Sequence, residues 1–268
     1  MAGTSVSLVL GLSIYVSASG LKAQDEIETD RPDLSSMVIP KGSLQFESGL
    51  SWTSDNGRAT VDGIESVVRP GLTTSGELRI ALPNYYRDWK TATRDGFSDI
   101  LLSWKQQLTG GSGPFQLSVA PGISLPSGSN GSTNGAFSPQ LGIAWSHSMN
   151  ARWSTSGVQS VYYSSGNGRY FLEGETIFAI ERKLSRTVES YLESQASYGH
   201  FGSTYILTVG AFYRKRPNYQ WDFSFGVGMD RGAEQVSFGV GFSFRTADMA
   251  NHRQACHCSR DIVRGRSD

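Results

Sequence analysis

The sequence predicts an all-β fold, an up-and-down antiparallel transmembrane β-barrel of about 12 strands. The main observation is that apolar and polar side chains alternate through residues 44–244, because successive side chains of a strand point to opposite faces of a sheet. The chain also holds 31 glycines and 11% aromatic residues, a composition that suits many strands joined by turns. Together these features indicate a single all-β domain.

The last predicted strand shows the alternation most clearly. Its apolar face consists of Val236, Phe238, Val240, Phe242 and Phe244. Its other face is polar or small and consists of Ser237, Gly239, Gly241, Ser243 and Arg245. Most predicted strands have about 9–11 residues or slightly more, as a tilted bilayer span requires. They cover residues 44–52, 63–70, 77–82, 99–105, 115–125, 139–147, 151–163, 169–183, 187–198, 205–213, 221–230 and 236–245.

A soluble β-protein would show the same alternation, so the position of the aromatic residues decides between the two. Aromatic side chains stand near the ends of the predicted strands, as in the girdles of membrane barrels: Trp52, Trp153, Tyr162, Tyr163, Tyr205, Tyr213 and Trp221. We therefore expect the apolar face to contact outer-membrane lipid and the polar face to line a wet lumen. Lysine plus arginine and aspartate plus glutamate balance at 24 each, so no basic field indicates a nucleic-acid partner.

Four regions are expected along the chain. Residues 1–23 are predicted to be an export signal, because an apolar stretch at 6–16 leads to small residues and a cut before Gln24, with a cut after Ala18 as the alternative. Residues 24–43 are a periplasmic lead-in or an N-terminal plug, residues 44–245 are the barrel, and residues 246–268 are a disordered extension that holds both cysteines.

The connections between strands predict the orientation of the barrel. With a periplasmic N-terminus, the outer loops would be residues 54–62, 83–96, 126–138, 164–168, 199–204 and 230–234. The inner turns would be residues 71–75, 109–114, 148–150, 184–186 and 215–218. The two longest connections, 83–96 and 126–138, both belong to the outer set, as is usual in outer-membrane barrels.

Charged residues on the polar faces are the candidate lumen-lining residues: Glu47, Glu77, Arg79, Asp99, Lys105, Glu173, Glu175, Glu189, Glu193, Arg214 and Asp222. They could form a constriction that selects solutes by charge and size, or they could be paired residues that fill a narrow barrel. Their mixed signs argue against strong selectivity for anions or cations. Asp30, Arg31 and Asp33 are the candidate plug residues, because they could meet opposite charges in the lumen.

The sequence predicts no enzyme, no cofactor and no metal site. His200 and Ser203 lie close in sequence, but no hydrolase signature frames them. Cys256, His257 and Cys258 lack the spacing and the second pair of a zinc site.

The chain resembles the outer-membrane proteins of the family named putative MetA pathway of phenol degradation. The run ETDRPDLSSMVIPKGSLQFESGLSW, which begins at Glu28, is similar to the start of these proteins. The segments GELRIALPNYY, GFSDILLSWKQQL and SVAPGISLPSGS are similar to the family's third, fourth and fifth strands. The resemblance covers about residues 28–245 and implies an outer-membrane barrel with a transport role in aromatic-compound metabolism. The tail from Thr246 departs from the family pattern.

The expected function is therefore a channel or uptake pore of the bacterial outer membrane for small aromatic or hydrophobic solutes. The alternative is a structural or adhesive outer-membrane barrel whose lumen is plugged and whose outer loops meet partners. Conductance across a planar bilayer distinguishes the two, since only an open pore produces current steps.

Overall fold

The computed structural model describes residues 27–30, 34–55, 58–89, 95–110, 113–130, 132–166, 169–200, 202–230 and 236–246. The predicted export signal and almost all of the predicted C-terminal extension lie outside these ranges. Within them, no helix is long and apolar enough to cross a membrane. The strands of this part of the chain are β1 (Leu44–Asp55), β2 (Arg58–Pro70), β3 (Gly76–Leu82), β4 (Tyr85–Asp88), β5 (Gly96–Phe97), β6 (Ile100–Gln107), β7 (Phe115–Leu125), β8 (Ser138–Ser148), β9 (Trp153–Gly166), β10 (Arg169–Lys183), β11 (Val188–Gly199), β12 (Gly202–Arg216), β13 (Tyr219–Gly228) and β14 (Val236–Arg245).

These strands form one antiparallel sheet that closes on itself, because β1 pairs with both β2 and β14. Two of the barrel strands are interrupted. β3 and β4 both pair with β2 on one side. On the other side, β3 pairs with β6 and β4 pairs with β5. β3–β4 and β5–β6 are thus two broken strands, and the described part of the chain forms a closed barrel of 12 strands. The predicted fold class is confirmed.

The two faces of the barrel wall have the polarity of a membrane barrel. Large apolar side chains are exposed on the outside, and Phe223 and Phe238 are each 50% exposed. Charged side chains are buried inside, where Glu47, Glu77 and Lys105 are each 0% exposed. A soluble protein has the opposite arrangement, since it buries apolar side chains and leaves charged ones in water. The predicted facing of the alternation is confirmed.

Several predicted outer loops are wrong, because the strands continue through them. β1 and β2 extend into the predicted loop 54–62, where Asp55 is the cross-strand partner of Arg58. The predicted loops 164–168 and 199–204 are shortened in the same way by β9–β10 and β11–β12. Alternation of apolar and polar residues marks only the part of a strand that faces lipid. A polar extension of the same strand therefore carries no such signal.

A β-bulge in β2 changes which side chains share a face. Gly49 pairs with Glu65 and Leu50 pairs with Gly63, so Ile64 is an extra residue without a cross-strand partner. Ile64 has a φ of 61°, a strained value for a β-branched residue. Because of the extra residue, Asp62 and Glu65 face the same side although they are three positions apart.

Candidate functional site

The charged residues of the lumen collect near one end of the barrel. Glu47 lies near the start of β1, Arg69 near the end of β2, Glu77 and Arg79 on β3, and Lys105 near the end of β6. Each alternates with outward-facing residues of its strand, so its side chain points inward. This end carries the short turns and both ends of the barrel chain, and it is the end that the sequence predicts to be periplasmic.

Asp30, which precedes the barrel, is the centre of this charge cluster. Its carboxylate lies 2.8 Å from Lys105 Nζ and 3.3 Å from Arg69 Nη1. It also accepts hydrogen bonds from Arg79 Nε and, at 2.9 Å, from the backbone N–H of Ser35. Burial alone would raise the pKa of the Asp30 carboxyl, but the charges of Arg69, Arg79 and Lys105 hold it well below its ordinary value.

Arg69 is fully buried and joins the barrel strands to one another. Its guanidinium donates to Glu47 Oε1 at 2.6 Å and to Glu77 Oε1 at 2.8 Å. A buried charge is costly unless it is paired and hydrogen-bonded, and here several acceptors compensate the arginine. Among the described residues, the three carboxylates of Asp30, Glu47 and Glu77 face the three cations Arg69, Arg79 and Lys105.

The N-terminal segment, defined here as residues 27–30 and 34–43, also makes backbone contacts to the inner face of the wall. The carbonyl of Glu28 accepts from Gln45 Nε2 at 2.6 Å and from Arg69 Nη1 at 3.1 Å. The N–H of Ile39 donates to Glu77 Oε2 at 2.7 Å. The N–H of Ile27 donates to the carbonyl of Pro217 at 2.6 Å. The polar groups of this segment are thus satisfied by the barrel in place of water.

Side chains of the N-terminal segment contact further strands. Thr29 Oγ1 accepts from Gln220 Nε2 of β13 at 2.9 Å. Ser36 Oγ lies 2.7 Å from Ser146 Oγ of β8. Leu34 packs against the small apolar cluster of the lumen, which consists of Ala144, Val158 and Ile177. The segment therefore meets strands on opposite sides of the barrel.

The other candidate lumen residues form separate groups. Glu189 and Arg214 make an ion pair on β11 and β12, and Glu193 and Asp222 are buried. Glu175, further along the barrel, accepts from Gln195 Nε2 at 2.6 Å, and Glu173 lies against Gly199 near the outer end.

Asp99 lies at the outer rim and holds the connection between β7 and β8. Its carboxylate accepts from the N–H groups of Gly128 and Asn134, each at 2.8 Å, and from Thr133 Oγ1 at 2.7 Å. Asp99 is therefore bound to an outer loop and is apart from the Asp30 cluster. Arg31 and Asp33 lie outside the described residues. His200, which was considered with Ser203, stacks on Phe171 with ring centroids 4.1 Å apart.

Sequence reasoning missed Arg69, which is central to the cluster. The bulge at Ile64 interrupts the alternation of β2, so the facing of residues 65–70 could not be read from the apolar pattern. Gln45 and Gln220 were also missed because neutral polar residues on a lumen face are common. The interrupted alternation just before Arg69 was the available signal.

A cavity of about 490 Å³ lies beside the N-terminal segment. Ile27, Glu28, Leu34 and the serines of the segment line one side of the cavity. Residues of β8–β12 and of the turn 149–152 line the other side. The Asp30 cluster, by contrast, occupies the half of the lumen formed by β1–β3 and β6. The cavity and the Asp30 cluster therefore lie on different sides of the lumen.

A closed antiparallel barrel with an apolar exterior and a polar lumen defines an outer-membrane β-barrel protein. The chain belongs to the family described as "Putative MetA-pathway of phenol degradation", whose model matches residues 29–246. No curated protein matches the chain.

Solved structures of two outer-membrane proteins share the fold. The COG4313 outer membrane channel from Pseudomonas putida F1 is similar with a TM-score of 0.60 and 11% identity, over 82% of this chain and 100% of that one. The NanC porin is similar with a TM-score of 0.53 and 8% identity, over 75% of this chain and 98% of that one. The localisation that follows from family and fold is the bacterial outer membrane.

Proposed function

We propose that the protein is an uptake pore for small aromatic or hydrophobic solutes, that it is not an enzyme, and that residues 24–43 form a plug that fills one half of its lumen. The observation that carries the proposal is the cavity of about 490 Å³ between the N-terminal segment and strands β8–β12. A solute would pass through this cavity. The name of the family, which refers to phenol degradation, supports an aromatic solute, and the similar COG4313 protein is an outer membrane channel.

The charge cluster supports a role as the anchor of the plug. A selective constriction needs charges that can meet a passing ion, whereas Glu47, Glu77 and Lys105 are fully buried in ion pairs. These residues hold Asp30 and the segment against the wall. Arg31 and Asp33 would belong to the same plug.

Replacing Asp30 with asparagine tests the plug. The Asp30→Asn variant leaves the buried cations Arg69 and Lys105 with one carboxylate fewer, and breaking such a buried pair costs about 3–5 kcal/mol. We expect the segment to detach and the single-channel conductance in planar bilayers to exceed that of the wild type. Glu175→Gln is the matched control, because it removes a lumen carboxylate that bonds to Gln195 and not to the segment.

The same measurement decides between the two functions. If wild-type protein gives current steps and Asp30→Asn gives larger ones, both the pore and the plug are supported. Equal conductance for the two would contradict the plug and leave the pore. Silent bilayers for both proteins, with correct folding verified by heat-modifiable gel migration, would contradict the pore and favour a structural or adhesive barrel.

A further inference from the structure

Basic side chains are concentrated on one side of the barrel, at the end that carries the short turns. The segments 149–152, 182–187 and 215–218 contain no acidic residue and six basic ones, namely Arg152, Arg182, Lys183, Arg186, Lys215 and Arg216. All six are exposed. The connections 71–75 and 108–114 at the same end contain no charged residue. The positive charge of this rim is therefore confined to the side formed by β8–β13.

The three segments form one continuous surface, the basic collar. The N–H of Lys183 donates to the carbonyl of Arg152 at 2.9 Å, and the N–H of Arg214 donates to the carbonyl of Thr187 at 2.8 Å. These backbone hydrogen bonds place the segment 182–187 between the other two. The basic residues of the three segments are thus neighbours, and their positive potentials add.

The charges of the basic collar are largely uncompensated within the described part of the chain. No acidic residue that the structure describes forms an ion pair with Arg152, Arg182, Arg186, Lys215 or Arg216. In the lumen, by contrast, Arg214 is paired with Glu189. The collar therefore presents a positive charge that is available to an anionic partner.

Arg182 connects the basic collar to the lipid-facing surface. It follows Glu181, which lines the cavity of the lumen, so the side chain of Arg182 points outward. Its guanidinium lies 5.1 Å from the ring centre of Trp153, its cross-strand partner. Tryptophan is enriched at membrane–water interfaces, and arginine extends its charged end toward the headgroups while its stem lies along apolar surface. The pair thus indicates the depth of the lipid headgroups.

Exposed apolar side chains lie beside the basic ones. Met149 and Leu184, in the two turns next to Arg182, are 59% and 57% exposed. An apolar side chain is stabilised by contact with acyl chains and not by contact with water. Basic residues together with exposed apolar ones are typical of surfaces that lie in the headgroup region of a membrane. The collar therefore fits a lipid better than a soluble acidic partner.

We propose that the basic collar binds the headgroup of an anionic phospholipid such as phosphatidylglycerol. Arg182 and Arg186 donate hydrogen bonds to the phosphate oxygens, since a guanidinium group matches the geometry of a phosphate. An acyl chain of the same lipid lies along Trp153 and Leu184. With the orientation that the sequence predicts, this lipid belongs to the periplasmic leaflet of the outer membrane. The proposal does not depend on whether the lumen conducts.

Native mass spectrometry of the purified full-length protein in detergent tests this site. The probe is an equimolar mixture of dioleoyl phosphatidylglycerol and dioleoyl phosphatidylethanolamine, two lipids that differ in net charge and carry the same acyl chains. Phosphatidylglycerol should be retained about tenfold more than phosphatidylethanolamine. The preference should fall as the ionic strength rises, because salt screens exposed charges. Equal retention of the two lipids would overturn the proposal.

Substitutions of exposed arginines locate the bound lipid. Arg182→Gln and Arg186→Gln should each reduce the preference for phosphatidylglycerol about three- to fivefold, and the double variant should retain both lipids nearly equally. Arg169→Gln is the matched control, because Arg169 is exposed at the opposite end of the same strand, β10. This control should keep the wild-type preference. Heat-modifiable gel migration verifies that each variant is folded.

The remaining outcomes distinguish a lipid site from a general attraction of anions. An unchanged preference in the double variant would overturn the collar as the site, and so would an equal loss of preference in Arg169→Gln. Glycerophosphoglycerol, which is the phosphatidylglycerol headgroup without acyl chains, should not displace the lipid when it is added at the same concentration. Displacement by this compound would show that the collar binds soluble anions and would contradict a lipid site.

Discussion

At the scale of single residues, Asp30 lies before the first barrel strand and yet stabilises buried charges of the barrel wall. A buried carboxylate is costly by itself, and Asp30 is 6% exposed. It is stable there because Arg69, Arg79 and Lys105 surround it. Equally, the three cations depend on Asp30. One side chain of the N-terminal segment therefore supplies one of the three carboxylates that compensate the cations of β2, β3 and β6.

The lowered pKa of Asp30 predicts how the attachment of the N-terminal segment responds to acid. Because the pKa of Asp30 is lower when the segment is bound than when it is free, binding favours the ionised form. The stabilisation is present in full above the ordinary carboxyl range, about pH 4, and is lost as the pH falls through the lower, bound-state pKa. Wild-type conductance should therefore rise only below about pH 4.

The comparison with Asp30→Asn isolates this residue from other titrating groups. The variant cannot gain from ionisation at position 30, so its conductance should already be high at neutral pH and should rise less in acid. Bilayer recordings of both proteins over the same pH series provide the measurement. An acid-induced rise in conductance that is as large in Asp30→Asn as in the wild type would mean that Asp30 does not hold the segment.

The facing of individual residues could largely be predicted from the sequence, and the exceptions have physical causes. Glu47, Glu77 and Lys105 were placed on the lumen side by their alternation with Phe46, Leu78 and Trp104. Arg69 could not be placed, since the bulge at Ile64 inverts the phase of β2. The stacking of Tyr191 of β11 on Phe212 of β12, with ring centroids 4.9 Å apart, could not be predicted either. A lone aromatic residue on a polar face carries no periodic signal.

At the scale of elements, the turn between β2 and β3 determines how closely the N-terminal segment approaches the barrel. Gly71 N–H donates to the carbonyl of Ser43 at 3.0 Å, and Gly42 N–H donates to the carbonyl of Gly71 at 2.9 Å. An added Cβ at Gly71 would come within 2.2 Å of the Pro40 carbonyl oxygen. Only glycine permits this backbone-to-backbone contact.

Gly71→Ala should therefore loosen the N-terminal segment without removing any charge. The clash is with backbone atoms, which cannot rotate away as a flexible side chain can. We expect faster hydrogen exchange at the N–H of Ile39, which donates to Glu77, and a higher pore conductance. Gly113→Ala is the matched control in another short turn at the same end of the barrel, where the nearest atom to an added Cβ is 3.9 Å away. Similar exchange rates in the two variants would contradict the close contact.

Strand β14 gives the sharpest test of which face meets lipid. Val240 and Gly241 are neighbours that point to opposite faces, outward and inward respectively, and Gly241 is buried. An arginine that replaces Val240 near the middle of the bilayer should cost about 2–4 kcal/mol of folding free energy. An arginine that replaces Gly241 should cost less, because the lumen is polar and Asp222 is its cross-strand neighbour.

Reversible folding into liposomes measures both penalties. The two variants add the same side chain to adjacent positions, so each serves as the control for the other. Equal penalties, or a larger one for Gly241→Arg, would remove the evidence that the apolar face of β14 contacts lipid. Gly241→Arg should also lower the conductance, since its side chain enters the lumen.

At the scale of the whole molecule, the strand number determines whether the two ends of the barrel lie on the same side of the membrane. The barrel has an even number of strands, so the N-terminal segment and the residues after Arg245 leave from the same end. That end carries the short turns such as 71–75, whereas the long connection 126–137 lies at the other end. The fold and this polarity were predictable from the sequence. The lengths of the outer loops were not, because both faces of a strand become polar beyond the bilayer.

The even strand number, together with the predicted periplasmic N-terminus, predicts a labelling pattern that uses the chain's own cysteines. Cys256 and Cys258 follow the last strand and should therefore be periplasmic, so a membrane-impermeant maleimide should not label wild-type protein on intact cells. In a background with both replaced by serine, Asn130→Cys should be labelled on intact cells, because Asn130 is exposed in the outer connection between β7 and β8. Thr74→Cys, exposed in the turn between β2 and β3, is the matched control and should be labelled only after the outer membrane is permeabilised.

Labelling of Cys256 and Cys258 on intact cells, together with protection of Asn130→Cys, would show that the barrel is inserted with the opposite orientation, and the plug would then face the cell exterior.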